Sequence, residues 1–127
     1  MDIQNINHVP AFLTKDGSEI RELLAPRNSC IRNQTLAEAR LPAGGSTTPH
    51  YHVKTEEIYY ILAGHGLMRV AQQTRPVGPG DAIAIPPGAV HQITCTAGQP
   101  LKFLCCCAPG YEHEDTVLAG PDRAADS

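Results

Sequence analysis

Charge is scarce in this sequence. Lys, Arg, Asp and Glu make up only 18% of the 127 residues, and the formal net charge is −3. No basic stripe is available to neutralise a phosphate backbone, so nucleic acid is a poor partner. Long apolar runs are missing as well. The stretch Ile58–Ala63 falls far short of the roughly 20 residues that a bilayer-spanning helix needs, so no membrane partner is expected. The opening residues Met1-Asp2-Ile3-Gln4-Asn5 lack the charged and apolar regions of a secretory signal, and a cytoplasmic protein is expected. No Cys-x2-Cys pair suggests a zinc knuckle or a redox motif. Of the five cysteines, Cys105, Cys106 and Cys107 are consecutive. Neighbours on a strand point to opposite faces, so the run cannot chelate as one cluster. Its reading is that of reduced, small, buried hydrophobes.

A sustained helical period, a linker and an internal repeat are likewise missing. What is present is a hydrophobic content of 42%, with eleven glycines and eleven prolines. The length fits one domain with one core. Short strand-like runs occupy Ile20–Leu24, Gln34–Leu41, Pro49–Val53, Glu57–Ala63, Gly66–Gln72, Asp81–Ile85, Val90–Thr94 and Leu101–Ala108, with Gly- and Pro-rich turns separating several of them. Even spacing of short strands predicts an all-β sandwich or barrel. The small, polar stretch Ala119–Ser127 reads as a mobile tail.

Strand parity says which side chains share a face. His50 and His52 are two apart and point the same way. Glu57, Tyr59 and Ile61 line one face of the next strand. Ile58, Tyr60 and Leu62 line the other, which is equally apolar. Such a strand is covered on both sides: one cover is the interior, the other a second sheet or a second subunit. Tyr59, Met68 and Ile93 fall on the pocket face, where they serve as filling, and Tyr59 can also hydrogen-bond a ligand.

Two glycine-bracketed blocks carry chemistry. The first is Gly44-x5-His50-x-His52-x4-Glu57-x6-Gly64, and the second is Gly80-x5-Pro86-x-Gly88-x2-His91. Two imidazoles on one strand face start about 6.5–7 Å apart at the backbone and can lean onto one ion. Four intervening residues allow a short turn that returns Glu57 to the same pocket. Glu56 is the competing carboxylate, on the opposite parity. His91 follows the tight Pro86-Pro87-Gly88 turn. Imidazole and carboxylate donors suit Fe²⁺, Mn²⁺, Ni²⁺, Co²⁺, Cu²⁺ and Zn²⁺. His65 in a Gly-His-Gly turn reads as exposed and inert. His8 has no partner spacing. His113 can border a pocket mouth, and Arg40 pairs with Glu38 or holds a substrate carboxylate. Asp16-Gly17-Ser18-Glu19 reads only as a turn.

With these blocks complete, the chain resembles the cupin superfamily, over residues 34–108. The resemblance implies a double-stranded β-helix, or jelly-roll barrel, at 34–108. Residues 1–33 would flank or extend it, and residues 109–127 would form a C-terminal tail. It implies a divalent metal held by His50, His52, Glu57 and His91, and often a homodimer. One departure is Cys95, where the second block usually ends in a non-ligating asparagine. Local hydrogen bonding at the barrel wall is expected to differ there.

Four protein donors leave about two positions of an octahedral ion open, the mark of a catalytic rather than a structural metal. The expected function is that of a small-molecule metalloenzyme, an oxygenase or an isomerase/lyase, with Tyr59 as the candidate catalytic side chain. The alternative is a module that binds metal and a metabolite or sugar without turnover.

Overall fold

The computed structural model describes residues 1–119. Among the described residues, eleven strands follow one another. β1 (Phe12–Leu13) and β2 (Glu19–Leu24) form an N-terminal hairpin, and β3 (Thr35–Leu41) and β4 (His50–His52) lead into the first block. β5 (Glu56–Ala63), β6 (Gly66–Val70), β7 (Gln73–Val77) and β8 (Ala82–Ile85) follow. β9 (His91–Cys95), β10 (Leu101–Ala108) and β11 (Thr116–Leu118) complete the fold. One sheet has the order β1-β2-β3-β10-β5-β8 and the other β11-β4-β9-β6-β7. From β3 onward the chain passes back and forth between the two antiparallel sheets, with only the β6–β7 hairpin staying in one, in the jelly-roll fashion of the all-β double-stranded β-helix. No described helix is long and apolar enough to cross a membrane.

The core is built by strict alternation. On β5, Glu57, Tyr59 and Ile61 are buried while Glu56, Ile58, Tyr60 and Leu62 are exposed. On β10, Leu101, Phe103, Cys105 and Cys107 are buried. Ile61, Ile93, Leu101 and Phe103, all at 1% exposure or less, form its centre. Burying each such side chain is worth roughly 1.5–3 kcal/mol. Tyr59 and Met68 join the same cluster. The second sheet covers only this inner face. On the outer face, Ile58 (51%), Tyr60 (43%) and Leu62 (40%) stay open to solvent.

Three strands depart from the sequence expectation. β7 was hidden because Gln73–Val77 is polar and contains Pro76. It is an edge strand of its sheet, where a missing N–H is tolerated. The strand expected over Gly66–Gln72 therefore stops at Val70, and the chain reverses at Ala71, whose φ is +52°. β1 is only two residues long. β11 lies in the segment read as a tail, yet pairs with β4 in the register Thr116↔His52 and Leu118↔His50. Of the stretch read as mobile, Ala119 is buried and donates its N–H to Pro49 O. Residues 120–127 lie outside the described residues.

The bracketing glycines Gly44, Gly64, Gly80 and Gly88 all have positive φ. At Gly64 the need is doubled, because a Cβ would sit 2.5 Å from Pro100 O and 2.9 Å from Leu101 Cα. Gly64→Ala should therefore cost at least about 1–3 kcal/mol from backbone strain alone, read as a lowered chemical-denaturation midpoint. An unchanged midpoint would show that this turn relaxes freely.

Candidate metal centre

Two paired strands and one from the facing sheet meet at this site. β4 and β9 pair antiparallel with His50 directly opposite His91, and their ring centroids are 4.2 Å apart. His52, on the same face of β4, lies 5.3 Å from His50 and 5.4 Å from His91. One ring nitrogen from each histidine lies within 4.8 Å of the other two. Glu57 comes from the other sheet. The turn that carries it across is capped by Asp115, whose carboxylate accepts from the Lys54 and Thr55 N–H groups. Glu57 Oε1 is 3.1 Å from His52 Nε2 and 3.5 Å from His91 Nε2. All four side chains are buried, whereas Glu56 faces solvent.

Hydrogen bonds at the rear of each ring decide what its front presents. His50 Nδ1 lies 2.8 Å from Thr48 O, and His91 Nδ1 lies 3.0 Å from Ala89 O. A carbonyl only accepts, so both Nδ1 atoms carry the hydrogen and both Nε2 atoms are lone pairs. His52 Nδ1 meets Thr116 Oγ1 at 3.2 Å, and that hydroxyl donates in turn to Glu112 O. The hydroxyl is then left to accept from Nδ1–H, and His52 Nε2 also faces inward as a lone pair. His91 Nε2 is fully buried without a hydrogen-bond partner among the described residues.

Electrostatics reinforce this state. Burial, with His91 nearby, pushes His50 down to about 4, so the ring is neutral at physiological pH. Burial alone would raise Glu57, and its carboxyl is pulled well below the usual range only when the His52 and His91 rings present N–H or positive charge to it. With lone pairs facing it, a cation between them takes that part. Three imidazole nitrogens and one carboxylate thus converge in a buried cavity. Ligand atoms adjacent on a metal with bonds of about 2.0–2.2 Å stand roughly 3.0–3.5 Å apart. The Glu57–His52 and Glu57–His91 separations match that spacing, so the donor set fits a divalent cation. Histidines held through Nδ1 by carbonyls or hydroxyls are the usual orienting arrangement around such ions.

Several contributors carried no recognisable signal in the sequence. Cys107 is more than a buried hydrophobe: its thiol lies 3.2 Å from Glu57 Oε2 and, as donor, turns Oε1 toward the imidazoles. Thr116 orients His52. Tyr111 stands edge-on to His52 at 6.1 Å. Asp16, from the β1–β2 turn, places Oδ2 3.2 Å from His50 Nε2. Each reaches the site from a segment distant in sequence, so no local spacing marks it. Tyr59 lines the cavity and lies 5.9 Å from His91, ring to ring. Met68 and Ile93, on the same parity, pack in the core instead. His8, His65 and His113 are exposed. Arg40 is paired to Glu38 at 2.5 Å and takes no part in the cavity. At Cys95 the thiol donates to Gln99 O at 3.0 Å, closing the turn between β9 and β10.

The cavity beside the imidazoles is narrow, about 40 Å³, against roughly 10–15 Å³ for one water on a comparable measure. A wider groove of about 790 Å³ runs between Met68, Arg75, Val77 and Ala84, and no imidazole lines it.

This architecture and the two blocks define a cupin. The cupin domain pattern matches residues 37–107, and the chain belongs to that family. It is 49% identical over 110 residues to an uncharacterized protein of Methanocaldococcus jannaschii, covering 87% of this chain and 88% of the other. It is 33% identical over 86 residues to an oxalate-binding protein of Thermotoga maritima, covering 68% and 71%. Among solved structures it resembles the polyketide cyclase RemF of Streptomyces resistomycificus, with a TM-score of 0.80 and 25% identity, covering 99% and 91%.

Burial raises the thiol pKa of both Cys105 and Cys107, and the Glu57 carboxylate raises both further, while Cys30 is exposed. A thiol reagent should therefore modify Cys30 rapidly in the native protein and leave Cys105 and Cys107 untouched until denaturation. Peptide mass mapping reads the outcome, and rapid native labelling of Cys107 contradicts it.

Proposed function

We propose that the protein binds one divalent first-row metal ion through His50, His52, Glu57 and His91. On this reading it acts as a cytoplasmic small-molecule metalloenzyme of the oxygenase or isomerase/lyase class. The observation that carries this reading is the convergence of three inward Nε2 lone pairs on a buried carboxylate, with each ring tethered from behind. A bound ion supplies Lewis acidity and, if redox-active, dioxygen chemistry.

The chain's own residues do the rest. Ala39, Phe103 and Cys105 wall the cavity with buried apolar surface, and a low-dielectric wall strengthens the electrostatic interactions inside it. Cys107 and Thr116 hold Glu57 and His52 in register for one ion. Burial first, and then the Glu57 charge, hold the Tyr59 phenol pKa far above its ordinary value. Tyr59 is therefore suited to donate a hydrogen bond to a substrate oxygen rather than to act as a base. The similarity to a polyketide cyclase supports the catalytic reading. The similarity to a protein named for binding oxalate favours a second one, in which the cup holds a metal and a small ligand without turnover.

Metal analysis of protein purified without added metal should find one divalent ion per chain, and His50→Ala should abolish stoichiometric binding. Retention of one ion by that variant would make the ligand assignment wrong. Anaerobic Fe²⁺ loading followed by oxygen uptake with diketone, catechol and thiol substrates separates the branches. Uptake supports an oxygenase. Isomerisation or elimination without uptake supports the isomerase/lyase branch, and silence with every metal and substrate class favours the binding reading.

The exposed outer face of β5 supports a homodimer. Ile58→Glu, in the middle of that face, should convert a dimer to a monomer in sedimentation analysis. A monomeric wild type removes the dimer from the proposal.

A further inference from the structure

We infer that Asp16 is a second carboxylate of the metal centre. Its charge turns the site toward neutral hydroxyl- or carbonyl-bearing ligands and away from dicarboxylates. The inference rests on the metal reading above and adds to it a residue outside both sequence blocks.

The geometry of the β1–β2 turn is the starting point. Asp16 Oδ1 is fully engaged: it accepts from Thr14 Oγ1 at 2.7 Å, Ser18 N–H at 2.9 Å and Ser18 Oγ at 2.6 Å. Those bonds leave Oδ2 free and aim it at His50 Nε2, 3.2 Å away. The turn itself is anchored to the site from two directions. Thr48 N–H donates to Asp16 O, and Thr48 is also the residue whose carbonyl orients His50. Lys15 Nζ donates to His113 O and Thr116 O, next to the hydroxyl that orients His52. The carboxylate is thus held in place by the same residues that hold the imidazoles.

Asp16 Oδ2 and His50 Nε2 are both acceptors, because the ring hydrogen is on Nδ1. Two acceptors 3.2 Å apart require a cation or a proton between them. The spacing is within 0.1 Å of that of Glu57 against His52, 3.1 Å. The unpartnered, fully buried Nε2 of His91 independently marks the point where an ion belongs. Glu57 approaches from His52 and His91, and Asp16 approaches from His50. With a divalent ion between them, the two carboxylates cancel its charge.

The cavity wall decides what such a neutral centre accepts. Its charged lining residues are Asp16, Glu22 and Glu57, and no Lys or Arg lines it among the described residues. Glu22 is paired outward to Arg27, and the Lys15 ammonium is occupied by backbone carbonyls. A dianion entering here meets no free cation and a metal whose charge is already balanced. Threonine, tyrosine and serine hydroxyls line the same space and suit hydroxyl or carbonyl oxygens. This separates the chain in preference from its relative that is named for binding oxalate.

The test uses the full chain loaded with Co²⁺, in wild-type form and as Asp16→Asn, which keeps the shape and the Oδ1 acceptor while removing the charge. Three readouts are taken: Co²⁺ affinity, the visible cobalt spectrum, and oxalate affinity at concentrations that leave the cobalt bound. Asp16→Asn should weaken Co²⁺ binding on the order of 10–100-fold, alter the cobalt bands and tighten oxalate binding by about tenfold or more. Asp16→Glu, which restores the charge, should return oxalate affinity toward wild type and guards against a folding defect in the first variant. Wild type that takes up no Co²⁺ overturns the metal reading and this inference with it. Stoichiometric Co²⁺ uptake with unchanged cobalt and oxalate affinities in Asp16→Asn overturns the role of Asp16 alone.

Discussion

Burying acceptor atoms around one point is unfavourable unless a positive charge sits among them. Here, His50, His52 and His91 each commit Nδ1 to a carbonyl or hydroxyl behind the ring, and Glu57 Oε1 faces His52 and His91. The repulsion that remains at the front of the rings is what a cation relieves. The surrounding structure serves to hold that arrangement against its own electrostatics. The strand pairing that sets His50 opposite His91 does this. So do the sheet-to-sheet turn capped by Asp115 and the thiol of Cys107 on Glu57.

The three tethers come from different elements. Thr48 precedes β4, Ala89 follows the Pro-Pro-Gly turn, and Thr116 opens β11. Two are local, each two residues before its own ring, and the third crosses from β11 to β4 within the same sheet. Glu57 alone comes from the other sheet, so the full donor set exists only once the two sheets have closed. An ion that binds only the closed form stabilises it by mass action.

The sequence carried most of the barrel but less of the centre. Alternation on β5 and β10 reported faithfully which side chains turn inward, because a strand with a buried face has period two and little freedom of register. The spacing of the two blocks brought four site residues to notice, and parity separated Glu57 from Glu56. β7 escaped because an edge strand needs neither apolar alternation nor every N–H, so Pro76 and Arg75 read as loop. β11 escaped because three residues leave no period to detect. Asp16, Cys107, Tyr111 and Thr116 escaped for another reason. Their relevance is a distance across the fold, and nothing in the identity of an aspartate in a Thr-Lys-Asp-Gly-Ser turn points to an imidazole more than thirty residues away.

The matched family region, residues 37–107, holds the three histidines, Glu57 and Cys107. Asp16, Lys15, Tyr111 and Thr116 all lie outside it, on the two flanking segments that Lys15 ties together. Barrel and rim are thus separable parts. The barrel supplies the three histidines and Glu57, and the flanks supply part of the lining around them. Chains with the same barrel but different flanks can part ways in chemistry without altering a single residue of the two glycine-bracketed blocks.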